Sequence, residues 1–295
     1  MLCFGCSPEN LRLGKAIDVF MHPERIVVGL EVDADHAKVT ELLAPISDRI
    51  LWVGLEAAEM IKHAINAFLA VSITFMNEIA SIAETVGADA KEVEAGLKSE
   101  GRIGPKAYLS PGGAFAGGTL ARDVTTLAGI AKTQGLPTRL IPAILDSNRE
   151  HGGWALRKIR EMLGSLSGKR VAVLGLTYKA GTSTLRRSSS VELVAALAKS
   201  GAVVVAFDPA ISELPAALGG AVTLATSAMA AAANADVLVL STEWPEFRQL
   251  DWQALLQTMA HRRIVDANRF LAPVLKGSPG VVYAAVGLPL EQRAL

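Results

Sequence analysis

Two groups of residues carry the side chains with which this sequence could do chemistry. The first is Lys62, Asn66 and Asn77, which at about 100° per residue fall within roughly 60° of one another on a helix. A cation and two amides projecting together suit an oxygen-rich ligand, because they offer donors and positive charge where an alkoxide would develop. Glu59 and Glu84 lie on the same stripe, so its composition is equally that of a solvated helix face. The second group is the run Gly112-Gly113-Ala114-Phe115-Ala116-Gly117-Gly118-Thr119-Leu120-Ala121-Arg122-Asp123, a glycine-rich loop leading into a helix. Glycines let backbone approach a ligand closely, and the free N–H groups of a helix start suit a carbonyl or oxyanion. Thr119 reads as an N-cap and Asp123 as an acid favoured by the helix dipole, so each alone has a local explanation. The glycines before them add weight, since that much backbone freedom is costly unless something fits against it.

A further loop, Gly175-Leu176-Thr177-Tyr178-Lys179-Ala180-Gly181-Thr182, follows the apolar strand pattern of Val171 to Leu174. The carboxyl end of such a strand is where open α/β sheets bind ligands, and Lys179, Arg186 and Arg187 offer phosphate donors there. The loop is not a GxGxxG fingerprint and supports no dinucleotide claim. Ser189 with Glu192 reads as a capping box, and Asp208-Pro209 as a strand terminator.

The elements that position these residues follow from periodicity. Strands are expected at Arg25–Leu30 and Ile50–Val53, with a short helix at Asp35–Leu43 between them. From Glu56 to about Leu163 the period is helical: a helix from Glu56 to Val86 stopped by Gly87, then Ala90–Lys98, Thr119–Gln134, and a long helix from about Thr138 to Met162. After a linker at Gly164–Lys169 come alternating strands and helices: strands at Arg170–Leu174, Val203–Phe207, Asp236–Leu240, Arg263–Val265 and Val281–Tyr283, with helices at Ser190–Lys199 and in the alanine-rich run. The fold class is therefore α/β, an all-helical central dimerisation region followed by a doubly wound parallel-sheet domain.

With 295 residues, 51% hydrophobic, the chain can bury more than one core. Lys plus Arg and Asp plus Glu are 29 each, so no global field points to nucleic acid or an acidic membrane surface. The only cysteines, Cys3 and Cys6, exclude a disulfide framework and point to a reducing, cytoplasmic setting. No second Cys or His cluster completes a metal site, and no metal is expected. The alanine-rich stretch Leu214–Leu240 is the only candidate membrane span, and Pro215, Asn234 and Asp236 argue against it.

The ordered set of motifs resembles the UDP-glucose/GDP-mannose dehydrogenase family. Ser7–Gly14 and His22–Gly29 look like the segment after its cofactor domain, and Glu59–Ala70 with Asn77–Ala80 is similar to its central helix. Arg102-Ile103-Gly104 precedes a loop similar to its catalytic pattern GxGFGGSCFPKD, and Gly175–Ser188 resembles its UDP-binding motif GLxYKxGTxxxRxS. Thr242-Glu243-Trp244 and Asp266–Arg269 continue the match. The resemblance implies NAD-dependent oxidation of a UDP-sugar to its uronic acid, by a homodimer. It places Lys62, Asn66 and Asp123 around the reacting sugar carbon, with Asp123 positioning water and Glu9 as base in acyl hydrolysis. It assigns Arg102, Gly113, Phe115, Gly117, Lys179 and Arg269 to the UDP-sugar, and Arg186 and Arg122 to the cofactor.

The sequence departs from that pattern at the nucleophile. The family cysteine, which carries a thiohemiacetal and then a thioester, is here Thr119; a hydroxyl is far harder to deprotonate, and no histidine is evident nearby as base. Ala116, Ala121 and Arg122 also depart from the loop pattern. The expected organisation is a remnant of the cofactor domain at residues 1–50, a helical domain at 51–163 and a UDP-binding domain at 164–295. The expected function is that of a truncated nucleotide-sugar dehydrogenase homologue, impaired in acid formation. The alternatives are a non-catalytic UDP-sugar-binding dimer, or a two-electron oxidoreductase completed by a partner's cofactor domain.

Overall fold

The computed structural model describes residues 5–9, 16–31 and 35–289, so Cys3 and residues 10–14 lie outside it. The chain opens with β1 (Gly5–Cys6), α1 (Ala16–Met21), β2 (Ile26–Leu30), α2 (His36–Leu43) and β3 (Ile50–Val53). These strands form a three-stranded sheet, β1 antiparallel and β3 parallel to the central β2. Gly29 of β2 is pressed against the next helix, where a Cβ would lie 2.7 Å from Ala58 Cβ.

That helix, α3 (Leu55–Val86), is 32 residues long and stops at Gly87, whose φ of 78° lets its N–H return to Ala83. Among the described residues it is the helix long and apolar enough to cross a membrane by length and composition. This corrects the expectation for Leu214–Leu240, which is instead divided among short elements. Ala67 and Ala70 of α3 pack on Val124 and Ile144, bringing α5 (Thr119–Thr133) and α6 (Leu140–Gly152) against it. Between them runs α4 (Ala90–Ser99), N-capped by Asp89 on the Lys91 N–H.

The single long helix expected from Thr138 to Met162 is broken: α6 ends at Gly152 and α7 (Trp154–Leu163) begins after Gly153. The break has a packing reason. The residues on either side of it hold separate partners, His151 on Gly112 O and Trp154 on Glu84.

The remaining chain alternates: β4 (Arg170–Leu174), α8 (Ser189–Lys199), β5 (Val203–Phe207), β6 (Val222–Leu224), α9 (Ala228–Ala232), β7 (Val237–Leu240), α10 (Trp252–Thr258), β8 (Arg263–Asp266), α11 (Ala272–Leu275) and β9 (Val282–Ala284). They give a six-stranded parallel sheet, ordered β6-β5-β4-β7-β8-β9. The order reverses between β4 and β7, as in doubly wound folds, and strands such as Val171–Leu174 are apolar throughout because both faces are covered. Strand β6 was hidden in the alanine-rich run, where three residues carry too little pattern to register.

The helical region and this sheet share one core, in which Met76 and Ala80 of α3 join Trp154, Ile159, Val171 and Val173. A polar clasp closes the same boundary. Arg269 donates to both oxygens of Asp89 at 2.7 and 2.8 Å and to Gly287 O at 3.0 Å. Gly287 N–H in turn donates to Glu84, and Ala90 N–H to Gly287 O. Gly287 (φ 71°) fits only without a side chain, since a Cβ would lie 2.2 Å from Ala90 Cβ. Burial pushes the Asp89 carboxyl up, but the bonds from Arg269 and Lys91 N–H outweigh it and hold the group below its ordinary value.

A carboxylate with a depressed folded pKa contributes stability above its unfolded pKa and loses it as the pH falls through the folded value. We expect Asp89→Asn to lower the unfolding free energy by about 1.5–3 kcal/mol in urea titrations at pH 7. The deficit should shrink as the pH is brought below 3.8, the ordinary value for this carboxyl.

Candidate functional site

The glycine-rich loop is held from both sides. From the helices, Asn77 Oδ1 accepts Gly112 N–H at 3.0 Å, His151 Nε2 donates to Gly112 O at 2.8 Å, and Asn148 brackets Phe115 with two bonds of 2.9 and 2.8 Å. From the sheet, Asn268 Oδ1 accepts Gly113 N–H at 2.7 Å, and Asn268 is itself held by Glu243. The approach is close enough to dictate sequence. A Cβ at Gly112 would be 2.2 Å from Asn268 Oδ1, and one at Gly118 would be 2.5 Å from the Tyr178 hydroxyl. These glycines therefore answer to the last sheet as well as to any ligand.

The loop delivers the start of α5, where the N-cap is Gly118 without a side-chain bond and Thr119 is the first helical residue, exposed. This corrects the expectation of a Thr119 cap. One turn later Asp123 is 1% exposed. Its Oδ2 accepts from Asn66 Nδ2 at 2.5 Å and its Oδ1 from Arg122 Nε at 3.2 Å, while His63 Nδ1 lies 3.6 Å from Oδ2. Beside them Lys62 Nζ donates to Glu9 at 3.1 Å. The structure thus bonds Asn66 and Arg122 to Asp123 and pairs Lys62, on the same helix as Asn66, with Glu9. It adds His63, which the sequence reading did not single out. The available signal was spacing: His63 stands three residues before Asn66 and so shares its helix face.

Of the remaining polar residues on the α3 stripe, Glu59 is exposed, whereas Asn77 and Glu84 are structural. Asn77 is spent on Gly112, and Glu84, buried, accepts from Gly287 N–H and Trp154 Nε1 and pairs with Lys158 at 2.6 Å. His151 is held below its ordinary pKa by burial, against the bond to Gly112 O, so the neutral ring donates from Nε2. Burial likewise outweighs the bonds from Tyr283 and Leu271 to raise Asp266.

A cavity of about 490 Å³ opens on the loop between the helices and the sheet, lined in part by Lys98, Tyr108, Gly112, Gly113, Arg248 and Phe270. The Arg248 guanidinium lies 3.8 Å over the Phe270 ring. A smaller cavity, about 160 Å³, lies behind Gly113 at the carboxyl ends of β7 and β8. The remaining expected ligand residues are scattered. Arg102 sits on an exposed turn paired with Glu100, Lys179 and Arg186 lie exposed in the loop after β4, and Gly117 lies under the stem of Arg187. Arg269, expected at the sugar nucleotide, has its fork committed to Asp89 and Gly287 instead.

The turn after β4 does not fit a dinucleotide. Leu176 N–H, Thr177 N–H, Thr177 Oγ1 and Trp244 Nε1 all donate to Asp208 Oδ2 within 2.7–3.1 Å, filling the place a pyrophosphate would take. Gly175 (φ 91°) is required by Thr242, which a Cβ would meet at 2.4 Å. Asp208 is therefore a hub that joins β4, β5 and the segment after β7, not a mere strand end. The cap of α8 is Ser188, accepting from Ser190 N–H, rather than Ser189. Among the described residues no group of His, Cys, Asp and Glu is arranged to hold a metal ion.

Residues 56–150 match the central domain of the UDP-glucose/GDP-mannose dehydrogenase family, and residues 172–273 match its UDP binding domain. UDP-glucose 6-dehydrogenase TuaD of Bacillus subtilis is 36% identical over 284 residues, which is 96% of this chain and 61% of that protein. UDP-glucose 6-dehydrogenase of Rhizobium meliloti is 36% identical over 96% of this chain and 66% of its own length. A UDP-glucose dehydrogenase structure from Pyrobaculum islandicum superposes with a TM-score of 0.81 at 28% identity, covering 92% of this chain and 61% of that one. The chain thus spans about 61–66% of the length of the curated relatives it matches.

The clasped loop makes a direct test. Gly118→Ala should cost about 1–3 kcal/mol of stability by overpacking against Tyr178. Part of that cost should return in a Tyr178→Phe background, where the nearest ring atom would be Cζ at 3.4 Å.

Proposed function

Since this chain belongs to the UDP-glucose/GDP-mannose dehydrogenase family, we propose that it binds a UDP-sugar against the loop 112–123 and is impaired in forming the uronic acid. The observation that carries this reading is the loop itself, which borders the 490 Å³ cavity at Gly112 and Gly113 and opens the helix that carries Asp123, held by Asn66. The nucleotide takes the cavity at Gly113, with Phe115, Gly117, Lys179 and Arg102, which lie outside its lining, as the further partners the resemblance assigns to the UDP-sugar, and the sugar reaches toward the cluster. There Lys62 and Asn66 supply donors to a developing oxyanion, Asp123 orients water, and Glu9 serves as base.

The impairment rests on Thr119. Its hydroxyl stands where the family places a thiolate, and neither a thiohemiacetal nor a thioester can form there. NAD is the oxidant the family implies, with Arg122 and Arg186 as its partners on this chain. The carboxylate of Asp208 fills the phosphate position of the six-stranded sheet, so that sheet is not where NAD binds. The same observation favours a second reading, a UDP-sugar-binding module without turnover or one completed by a cofactor-binding partner.

We assign residues 51–163 to a helical dimerisation domain, 164–295 to a UDP-binding domain and 1–50 to part of a cofactor-binding domain. Phe68, Phe75 and Ile82 stand seven residues apart along α3 and are 68%, 46% and 59% exposed. A second copy of the chain fits that stripe, in a cytoplasmic homodimer.

Calorimetric titration with UDP-glucose should give a saturable heat, and its absence would overturn the binding reading. With NAD⁺ added, no UDP-glucuronate should form; its detection would overturn the role given to Thr119. Phe68→Asp with Phe75→Asp should convert a dimer into a monomer in sedimentation velocity while the circular dichroism is unchanged.

A further inference from the structure

His63 is the one side chain of the cluster that the family pattern does not assign. Its Nδ1 is fully buried without a hydrogen-bond partner and faces Asp123 Oδ2 at 3.6 Å, beyond hydrogen-bond reach but within range of charge. The side chain is 30% exposed while Asp123 is 1% exposed, so the exposed part of His63 is not the nitrogen that faces the carboxylate. A neutral imidazole carries one N–H and one lone pair. Setting the Nδ1 lone pair against a buried carboxylate is repulsive, so Asp123 selects the tautomer protonated at Nδ1 and leaves Nε2 as an acceptor.

The surrounding groups explain why an acceptor matters there. Lys62 and Arg122 are donors only, and Asn66 turns its amide donor to Asp123. Of the acceptors, Asp123 is buried under Asn66 and Arg122, and Glu9 is paired with Lys62. A sugar hydroxyl needs a donor for its oxygen and an acceptor for its hydrogen. The cluster offers cations for the first and His63 Nε2 for the second.

We infer that His63, held in one tautomer by Asp123, is a specificity-determining residue that accepts the hydrogen bond of the hydroxymethyl group of the bound UDP-sugar. This rests on the sugar-nucleotide reading above. It makes the site selective for a sugar with a free hydroxyl at that carbon, independently of whether oxidation follows.

The test uses the full chain with ¹⁵N-labelled histidine and two probes, UDP-glucose and its 6-deoxy analogue. The free protein should show the His63 ring as the Nδ1–H tautomer. UDP-glucose should move its Nε2 resonance, whereas the 6-deoxy analogue should bind and leave it in place. Calorimetry should show His63→Phe binding UDP-glucose about 2- to 10-fold more weakly, as expected for one lost hydrogen bond, with affinity for the analogue unchanged. His63→Gln, which keeps a polar acceptor at similar reach, should restore part of the discrimination. UDP-glucose heat with an unmoved His63 resonance, or equal affinities for the two probes, would overturn the role of His63 and leave the binding reading intact. No heat from either probe would overturn the binding reading, and this inference with it.

Discussion

At Gly112 and Gly118 the loop backbone passes too close to Asn268 and Tyr178 of the parallel-sheet region for a side chain, while Asn77, Asn148 and His151 bond the same loop from the helices. The position of everything chemical follows from that passage. It fixes where α5 starts, hence where Thr119 and Asp123 stand relative to Lys62 and Asn66. It also forms the wall shared by the two cavities through Gly113. Because the contacts come from both structural regions, the site exists only when the helices and the sheet are docked. The Asp89–Arg269–Gly287 clasp and the shared core are therefore part of the site's architecture although they touch none of it.

Much of this was legible from residue patterns. The stop of α3 at Gly87, the helix over Ala90–Ser99 and the strands of the sheet carry strong periodicity and capping signals, and they lie where those signals put them. What failed was local pattern read without its partners. The chain breaks at Gly153 because the anchors at His151 and Trp154 lie there, and nothing in the helical period records them. Strand β6 is three residues long in an alanine-rich stretch, too short for any period. The cluster was half visible. Lys62, Asn66 and Asp123 were marked by type and spacing, while His63 reads as an ordinary helical residue until a carboxylate from another helix is placed beside it.

The buried acids show the same distinction between type and setting. Glu84, Asp208 and Asp266 all look like candidates for chemistry by residue type alone. Each is instead saturated by donors: Glu84 by Gly287, Trp154 and Lys158, Asp208 by four donors on one oxygen, and Asp266 by Tyr283 and Leu271. An unpaired carboxylate in these positions would cost several kcal/mol, so such complete satisfaction is the mark of a structural acid. Asp123 differs in one respect. It is equally buried, yet one of its neighbours, the His63 ring, meets it without a bond.

That unbonded contact separates Asp123 from Glu84, Asp208 and Asp266. A fully bonded network locks its members and leaves nothing for a ligand, whereas a carboxylate that orients an imidazole passes its influence on to Nε2. With a thiol at residue 119, such a cluster would sit beside a strong nucleophile. With Thr119 it keeps its charge, donors and oriented acceptor, but has no group able to form a thioester. Recognition of a hydroxylated sugar needs only the first set, and acid formation needs both. In the function proposed above, residue 119 therefore bears on the second oxidation and not on binding, and the glycines that clasp the loop answer to Asn268 and Tyr178 rather than to residue 119.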